Sequence, residues 1–538
     1  MNNALKCLSA AMAAVMLFGC TSKSTKSGTG SKIDSSSSAQ SVPSAETSVL
    51  PVLSIETKSK DADVMDFVKK PVAKHVAEAI ASWTPDYEMP PEPYYEECTV
   101  TLKDGSGKTL LEPADAQVKV RGNWTTNYNK KPLRLKFNEK QSLLGLNGGT
   151  AFRNWLLLAE YKDASMLRNK AALYASREIL GKDGLFAADC DFVQVEINGE
   201  YYGMYLLSDM QQVNEGRIDI TAPEKDYQGT DIGYFMEYDG YFYNEDELHS
   251  FKLDLHDNAP LTPFSDTEYK GEGVTVQPTS FMDPKRELGI TLKSSIYSQD
   301  QHDFIENFVN NVYNIMYEAA YNHKAFVFDK DYKTISESTS VTPQQAVENV
   351  VDMQSLADMY IISDLTCDAD IYWSSFYMTA DFGADGNKKL TFQAPWDFDS
   401  SMGNKDRCID GTGFYASGLV PDVDGGPAGN GMYETVNPWL TVLAYEDWYQ
   451  DIIKETWTRA YDDGVFDRTC QLIENTSASL EEEFTKNYDK WNNIIINFDF
   501  VNELSEPAAN CHNEAEAAEF LANWLRSRIG FLNSKWHK

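Results

Sequence analysis

Four aspartates in one short stretch are the residues of this chain best suited to chemistry. Asp368 and Asp370 precede a predicted β-hairpin, and Asp397 and Asp399 follow it. Carboxylates that converge repel one another unless a cation lies between them, and hard divalent ions take oxygen ligands from carboxylates and hydroxyls. The spacing therefore predicts a magnesium site. In kinase-type phosphoryl transfer, one aspartate accepts the proton of the attacking hydroxyl and another holds the metal against the phosphates.

The order along the chain suggests a role for each residue. Asp370 is the candidate catalytic aspartate, Ser375 is a polar metal ligand five positions later, and Asp397 and Asp399 are metal ligands beyond the hairpin. Acidic decoration of an acidic surface and a structural calcium site are the alternatives that spacing alone leaves open. The AspPheGly sequence at 381–383 lies at the hairpin tip and is interpreted as turn chemistry.

Three predicted elements position these acids. Apolar residues recur at helical spacing in 355–365, which predicts a helix that ends near the first acids. Residues 374–380 and 390–394 predict two strands, joined by the Gly, Asn and Asp residues of 381–387. Pro395 ends the second strand because it cannot donate to a sheet ladder. Both acidic pairs should therefore lie at the mouth of one hairpin.

An earlier hairpin offers positive charge. Residues 121–137 join two runs of alternating polarity through a polar loop with several cations. Its backbone N–H groups, hydroxyls and cations suit a phosphate chain, which a protein of net charge −35 must bind through a local basic pocket and a metal. The same net charge repels nucleic acid and anionic lipid surfaces, so no nucleic-acid partner is expected.

The composition indicates one large exported domain. Aromatic and aliphatic residues run throughout 49–538, which favours a single domain of two lobes over several independent ones. The eight cysteines form no Cys-x-x-Cys pair, so a zinc site is disfavoured, while any disulfide pairing stays open.

The N-terminus predicts export and a lipid anchor. Residues 1–20 have the basic start and short apolar core of an export signal. Their LeuPheGlyCys ending resembles a bacterial lipoprotein processing site, which would place a lipid on Cys20; ordinary secretion is the alternative. Residues 21–48 are rich in Ser and Thr and predict a disordered tether. The folded domain should then lie on the extracytoplasmic face, attached to the membrane only through this lipid.

Five motifs in order resemble the CotH kinase family, named for a spore-coat protein. They are VKVRGNWTTNYNKKPLRLKF, NWLLLAEYKDASMLRNKAALYASREI, VEINGEYYGMYLLSDMQQVNEGRIDI, GYFMEYDGY and APWDFDSSMGN. The resemblance covers most of 50–535. It implies an α+β, atypical two-lobed protein-kinase-like fold, with a β-rich N-terminal lobe and a mainly helical C-terminal lobe. It further implies that the protein binds ATP with Mg²⁺ and phosphorylates Ser or Thr hydroxyls of protein substrates.

The resemblance also assigns residues. Asp370 matches the catalytic-loop aspartate of the family and Asp397 its metal-binding aspartate. Lys131 or Lys130 would be the phosphate-binding lysine, with Arg121 nearby.

Other positions depart from the family pattern or fit it loosely. Ser375 stands where many members have Asn, and a hydroxyl binds magnesium less well. Arg168 lies in a predicted helix over 166–180 and is expected either to contact phosphate or to be purely structural. Asp209 falls in the segment expected to hold the adenine. Glu237 and Asp239 lie on a predicted strand and are expected to face water, with an approach to the metal site as the alternative.

Two other functions use the same features. The fold could transfer a nucleotidyl group or drive an ATP-dependent ligation instead of transferring phosphate. It could also be a non-catalytic surface module that binds glycans or proteins, since function resides in the site rather than in the fold.

Overall fold

The computed structural model describes most of the chain after the N-terminal region. The described residues are 50–58, 65–265, 275–278, 288–368, 370–372, 374–405, 408–418, 420–422, 433–492 and 504–538. The predicted signal, its Cys20 and the predicted tether at 21–48 lie outside these residues. Within the described part, no helix has the length and apolar character needed to cross a membrane.

Seven strands near the N-terminus close into a barrel. They are β1 (Val52–Thr57), β2 (Glu96–Lys103), β3 (Thr109–Val120), β4 (Leu133–Gln141), β5 (Phe152–Leu158), β6 (Cys190–Ile197) and β7 (Glu200–Ser208). Their order is β1-β2-β3-β4-β5-β7-β6, and β1 closes the barrel by pairing in parallel with β6. Alternate residues of β1 and of the C-terminal half of β3 are buried, because successive side chains of a strand point to opposite faces. The barrel interior is therefore a hydrophobic core of its own.

A second sheet follows the barrel in sequence. It contains β8 (Gly233–Asp239), β9 (Ser250–Lys252), β10 (Gly289–Leu292), β13 (Phe376–Asp381) and β14 (Leu390–Phe392), in the order β14-β13-β8-β10-β9. Two short ladders lie outside it, one of β11 (Phe326–Phe328) with β12 (Ile335–Glu337) and one of β15 (Val420–Asp422) with β16 (Tyr433–Thr435). Every residue of the central strand β8 is buried. The expectation that Glu237 and Asp239 face water was wrong, because β8 is covered on both faces.

Helices dominate the C-terminal part. The thirteen α-helices of the described residues are α1 (Asp66–Lys69), α2 (Lys74–Trp83), α3 (Arg168–Leu180), α4 (Leu255–Asn258), α5 (Gln299–Asn322), α6 (Pro343–Glu348), α7 (Met353–Thr366), α8 (Pro438–Thr441), α9 (Asp447–Asp462), α10 (Val465–Ser479), α11 (Glu481–Trp491), α12 (Glu506–Ala509) and α13 (Glu514–Trp536). The chain is α+β, with a β-rich N-terminal region and helices toward the C-terminus. A second large hydrophobic core joins the five-stranded sheet to α3, α5, α7, α9, α10 and α13.

The predicted helix and hairpin around the aspartates are present. The helix predicted over 355–365 is α7, whose N-cap Asp352 accepts a hydrogen bond from the backbone N–H of Ser355. The hairpin predicted over 374–394 is β13 and β14, which pair antiparallel with Met378 opposite Phe392. α7 and the hairpin are buried in the same core.

Candidate functional site

Three partly buried aspartates interact electrostatically. Asp370 lies in the loop between α7 and β13, while Asp397 and Asp399 lie just after β14. Burial, together with the negative charges of Asp399 and Asp370, raises the pKa of Asp397 to about 8. Burial also raises the pKa of Asp399, again with a contribution from Asp370. Side chains from the two sides of the hairpin therefore lie close enough to interact electrostatically, and we refer to Asp370, Asp397 and Asp399 as the aspartate cluster.

The loop that bears two of these aspartates is held from α3. The side-chain oxygen of Asn169 accepts a hydrogen bond from the backbone N–H of Phe398 at 2.8 Å. The amide nitrogen of Asn169 donates to both carboxylate oxygens of Glu160, at 3.1 and 3.0 Å. Asp397 itself has a φ of 72°, in the left-handed region that non-glycine residues seldom occupy. Tertiary hydrogen bonds therefore hold a conformation that local preference disfavours.

Three cations surround the aspartate cluster. Arg121, at the end of β3, and Lys162, in the loop before α3, both lower the pKa of Asp397, although burial outweighs them. Lys162 and Lys405 do the same for Asp399. The Lys162 ammonium also donates to the Ser400 hydroxyl at 2.8 Å. Positive charges of three residues thus partly offset the negative charge of the aspartate cluster.

The two predicted phosphate lysines contact other groups. Lys130 donates to the backbone oxygens of Ala159 (2.8 Å) and Met204 and lies 4.5 Å from the centre of the Tyr205 ring. Burial lowers the pKa of Lys130 to about 7. Lys131 donates to the backbone oxygen of Thr126, and burial lowers its pKa to about 8. These contacts tie both amines to backbone carbonyls of the barrel region.

Arg168 is a buried brace behind the aspartate loop. Its guanidinium forms an ion pair with Asp163 and donates to the backbone oxygens of Ser401 (3.1 Å) and Met402 (3.3 Å). These contacts hold the segment that follows Asp399. Arg168 therefore helps to keep the aspartate loop in place.

Asp209 lies at the end of β7 and forms a buried ion pair with Arg217. The Arg217 guanidinium carbon lies 3.7 Å from the centre of the Phe152 ring, so the pair packs against the barrel. Burial raises the pKa of Asp209 to about 6, although Arg217 opposes the shift. The part of Asp209 in holding adenine stays a prediction.

Ser375 is attached to the second sheet. Its backbone N–H donates to a Glu237 carboxylate oxygen at 2.9 Å, and the other Glu237 oxygen pairs with Lys293 at 2.7 Å. Ser375 has a φ of 58°, so this bond holds a turn that local preference disfavours. Glu237 thus holds the backbone of Ser375, and the approach of Glu237 and Asp239 to a metal stays a prediction.

The AspPheGly sequence at 381–383 has the turn role predicted for it. Asp381 accepts hydrogen bonds from the backbone N–H groups of Gly383 (2.9 Å) and Thr221 (3.0 Å). The Phe382 ring is part of an aromatic core, with centroid distances of 4.7 Å to Phe304 and 4.9 Å to Phe308. This segment is thus packed as the end of a hairpin and does not contribute to the aspartate cluster.

The aspartate cluster fits a magnesium ion. Its donors are hard carboxylate oxygens, and the mutual repulsion that raises the pKa of Asp397 is what a bound cation would relieve. Among the described residues, the three potential ligands whose atoms all lie within 4.8 Å of one another are His302, Asp303 and Glu306, elsewhere on α5. The aspartate cluster does not meet this distance criterion, and magnesium commonly binds only one or two carboxylates together with substrate phosphates.

Comparison with protein families matches the model described as CotH kinase protein to residues 118–532. The chain belongs to the CotH kinase family. The matched range begins in β3 and ends in α13, so it contains the whole aspartate cluster and its three cations. No curated protein matches this CotH kinase family member.

Sequence reasoning missed three residues of this CotH kinase family site. Glu160, Lys162 and Asn169 are all buried and lie between β5 and the first turn of α3. One signal could have indicated them, because Glu160 and Lys162 directly follow the apolar strand NWLLLA. Charged residues are seldom buried unless they are paired with other groups. Charged residues immediately after a buried strand therefore indicate a candidate functional site.

Proposed function

We propose that this CotH kinase family protein is a magnesium- and ATP-dependent protein kinase that phosphorylates Ser or Thr hydroxyls of exported proteins. The observation that best supports it is the partly buried cluster of Asp370, Asp397 and Asp399, on which Arg121 and Lys162 act electrostatically. Few structural roles require three carboxylates in one partly buried place, since they repel one another there.

Each residue of the site has a proposed role. Asp397 and Asp399 hold the metal, with Ser375 as an additional oxygen ligand. Asp370 accepts the proton of the incoming Ser or Thr hydroxyl and orients its oxygen toward the phosphate. Bound magnesium would supply charge neutralisation at the phosphates.

Binding of the rest of the nucleotide follows from the same assignment. Arg121, which interacts electrostatically with Asp397, binds the phosphate chain. Lys131 or Lys130 is the family-based candidate for the phosphate lysine, and the segment around Asp209 is the candidate for the adenine.

The larger arrangement is proposed in the same terms. The barrel, with its separate hydrophobic core, corresponds to the N-terminal lobe of a kinase-like fold, and the helical region corresponds to the C-terminal lobe. A lipid on Cys20 and the tether at 21–48 would hold this domain outside the cytoplasmic membrane.

Calorimetry tests the nucleotide site directly. The wild-type protein and Asp397→Ala are titrated with ATP, each with and without magnesium. We expect magnesium-dependent binding in the wild type and little or none in the variant. Equal and negligible heats in both proteins would contradict the kinase assignment and favour a non-catalytic surface module that binds glycans or proteins.

Intact-mass analysis tests the transferred group. A Ser- or Thr-containing exported protein incubated with the enzyme, ATP and magnesium should gain one or more phosphates. A gain of a nucleotide, or of an amino acid by ligation, would exclude phosphoryl transfer as the reaction while keeping the nucleotide site.

A further inference from the structure

We propose that Lys162 is the lysine that contacts the nucleotide phosphates, in place of Lys130 or Lys131. This inference rests on the proposed function, since it concerns the same nucleotide site.

The position of Lys162 is fixed at both its backbone and its side chain. It is buried, in the loop between β5 and α3. Its backbone oxygen accepts a hydrogen bond from the Asn404 side chain at 3.3 Å, and the same Asn404 amide donates to the backbone oxygen of Asp399 at 2.7 Å. Asn404 therefore joins the lysine loop to the aspartate loop.

The ammonium group of Lys162 reaches the aspartate cluster through one hydroxyl. It donates to the Ser400 hydroxyl at 2.8 Å, and that hydroxyl donates to an Asp399 carboxylate oxygen at 3.3 Å. The positive charge of Lys162 acts on both Asp397 and Asp399. A phosphate chain that shares a metal with these aspartates would have its oxygens beside this ammonium.

Lysine is suited to such a contact. Its ammonium is a compact charge with three donors, so it can exchange a hydroxyl partner for a phosphate oxygen without a fixed angular requirement. The Ser400 hydroxyl can also act as donor or acceptor, so its own bond to Asp399 survives the exchange.

Lys130 and Lys131 would gain less from a phosphate. Their amines already donate to backbone oxygens of Ala159, Met204 and Thr126. Moving either amine to a phosphate would leave buried carbonyls without that partner, which is costly. Their described contacts therefore suit a structural role in the barrel.

Nucleotide affinities of matched variants test the proposal. Dissociation constants for ATP and adenosine are measured with magnesium by calorimetry for the wild type, Lys162→Met, Lys131→Met and Lys136→Met. Lys136 is an exposed lysine of β4 and serves as the charge-matched control. Loss of a charge-assisted phosphate contact should weaken ATP binding by Lys162→Met about tenfold or more, with adenosine affinity changed less than about twofold.

The outcomes distinguish a failure of the Lys162 assignment from a failure of the proposed kinase function. If the wild-type protein binds no ATP in the presence of magnesium, both the Lys162 assignment and the proposed function are wrong. A wild type that binds ATP, with Lys162→Met within about twofold of it and Lys131→Met clearly weaker, overturns the Lys162 assignment alone. If Lys162→Met does not fold by circular dichroism, Lys162→Gln keeps two donors without the charge. It should weaken ATP but not adenosine, and equal losses for both would again count against the proposal.

Discussion

Asn169 binds the peptide of Phe398, with 2.8 Å between its side-chain oxygen and the backbone nitrogen. Phe398 lies between the two proposed metal-binding aspartates, so this bond connects α3 to the centre of the site. The amide nitrogen of Asn169 is oriented by the Glu160 carboxylate. Asn169 therefore links α3 to the peptide between Asp397 and Asp399.

The first prediction concerns this bond. Asn169→Asp keeps the acceptor for Phe398 but places a carboxylate against Glu160, so it should lower stability by about 1–3 kcal/mol and weaken magnesium-dependent nucleotide binding. The double variant Asn169→Asp, Glu160→Gln restores a donor and an acceptor and should recover most of both losses. Thermal unfolding and magnesium titrations measure the two effects. A double variant no better than the single one would contradict the positioning role.

The second prediction separates chemistry from metal binding. Asp370→Asn removes the proposed proton acceptor, so the rate of phosphate transfer should fall about 10²- to 10⁴-fold while nucleotide affinity stays near that of the wild type. Asp397→Asn should instead abolish magnesium-dependent nucleotide binding, because it removes a metal ligand. Calorimetry and single-turnover assays measure the two quantities. Equal loss of nucleotide affinity in both variants would show that the roles are wrongly divided.

The third prediction concerns pH. Burial raises the pKa of Glu514 to about 8, with Asp163 and Glu481 adding to the shift, while a Ser477 hydrogen bond opposes it. One carboxylate oxygen of Glu514 has no hydrogen-bond partner. The folded protein therefore binds a proton that the unfolded chain releases near pH 4.5. The contribution of Glu514 to the free energy of unfolding is therefore complete below pH 4.5 and is lost as the pH rises to about 8.

Glu514→Gln should remove this dependence. Relative to the wild type, its free energy of unfolding should rise from pH 5 to 8, by on the order of 2 kcal/mol at pH 8. Glu519→Gln, an exposed site on the same helix, is the matched control and should show no such trend. Denaturant unfolding at several pH values measures it, and parallel pH profiles for the two variants would argue against a neutral Glu514.

The fourth prediction concerns the contact between β7 and α11. Gly203 has a φ of 148°, and an added Cβ would lie 2.8 Å from the Trp491 ring nitrogen and 3.2 Å from the Asn487 side-chain oxygen. Both groups bond the backbone beside Gly203, at Tyr202 and Met204. Gly203→Ala should therefore lower the free energy of unfolding by about 1–3 kcal/mol.

A second glycine provides the control for this change. Gly181 has a helical φ of −64° and open space around its Cβ position, so Gly181→Ala should be neutral or slightly stabilising. Chemical denaturation measures both variants. If Gly203→Ala proved as stable as the wild type, α11 would not be closely packed on β7 in solution.

Much of the fold was readable from local sequence. Helical spacing predicted α7, and alternation with a Gly- and Asn-containing turn predicted the β13–β14 hairpin, because both signals depend only on near neighbours. The closure of the barrel by β1 was not predictable in this way. β1 pairs in parallel with β6, which lies far along the chain, and no local pattern encodes such a partner.

The burial of Glu237 shows the same limit. A strand with two acids among aromatic residues was expected to have one solvent-exposed face. Instead, β8 lies in the middle of a sheet that is covered on both sides. Lys293, which directly follows the neighbouring strand β10, compensates the charge of Glu237. An alternating pattern cannot reveal whether a sheet face is covered by other elements.

The sequence by itself determined the family, through motifs in a characteristic order, and it placed the candidate aspartates on the two sides of one short hairpin. Only the tertiary structure decided which cations face them. Lys162 and Ser400 are separated by 238 positions, and folding of the β5–α3 loop against the aspartate loop brings them to hydrogen-bonding distance. The number and type of lysines are written in the chain, but the partner of each ammonium depends on packing between distant segments.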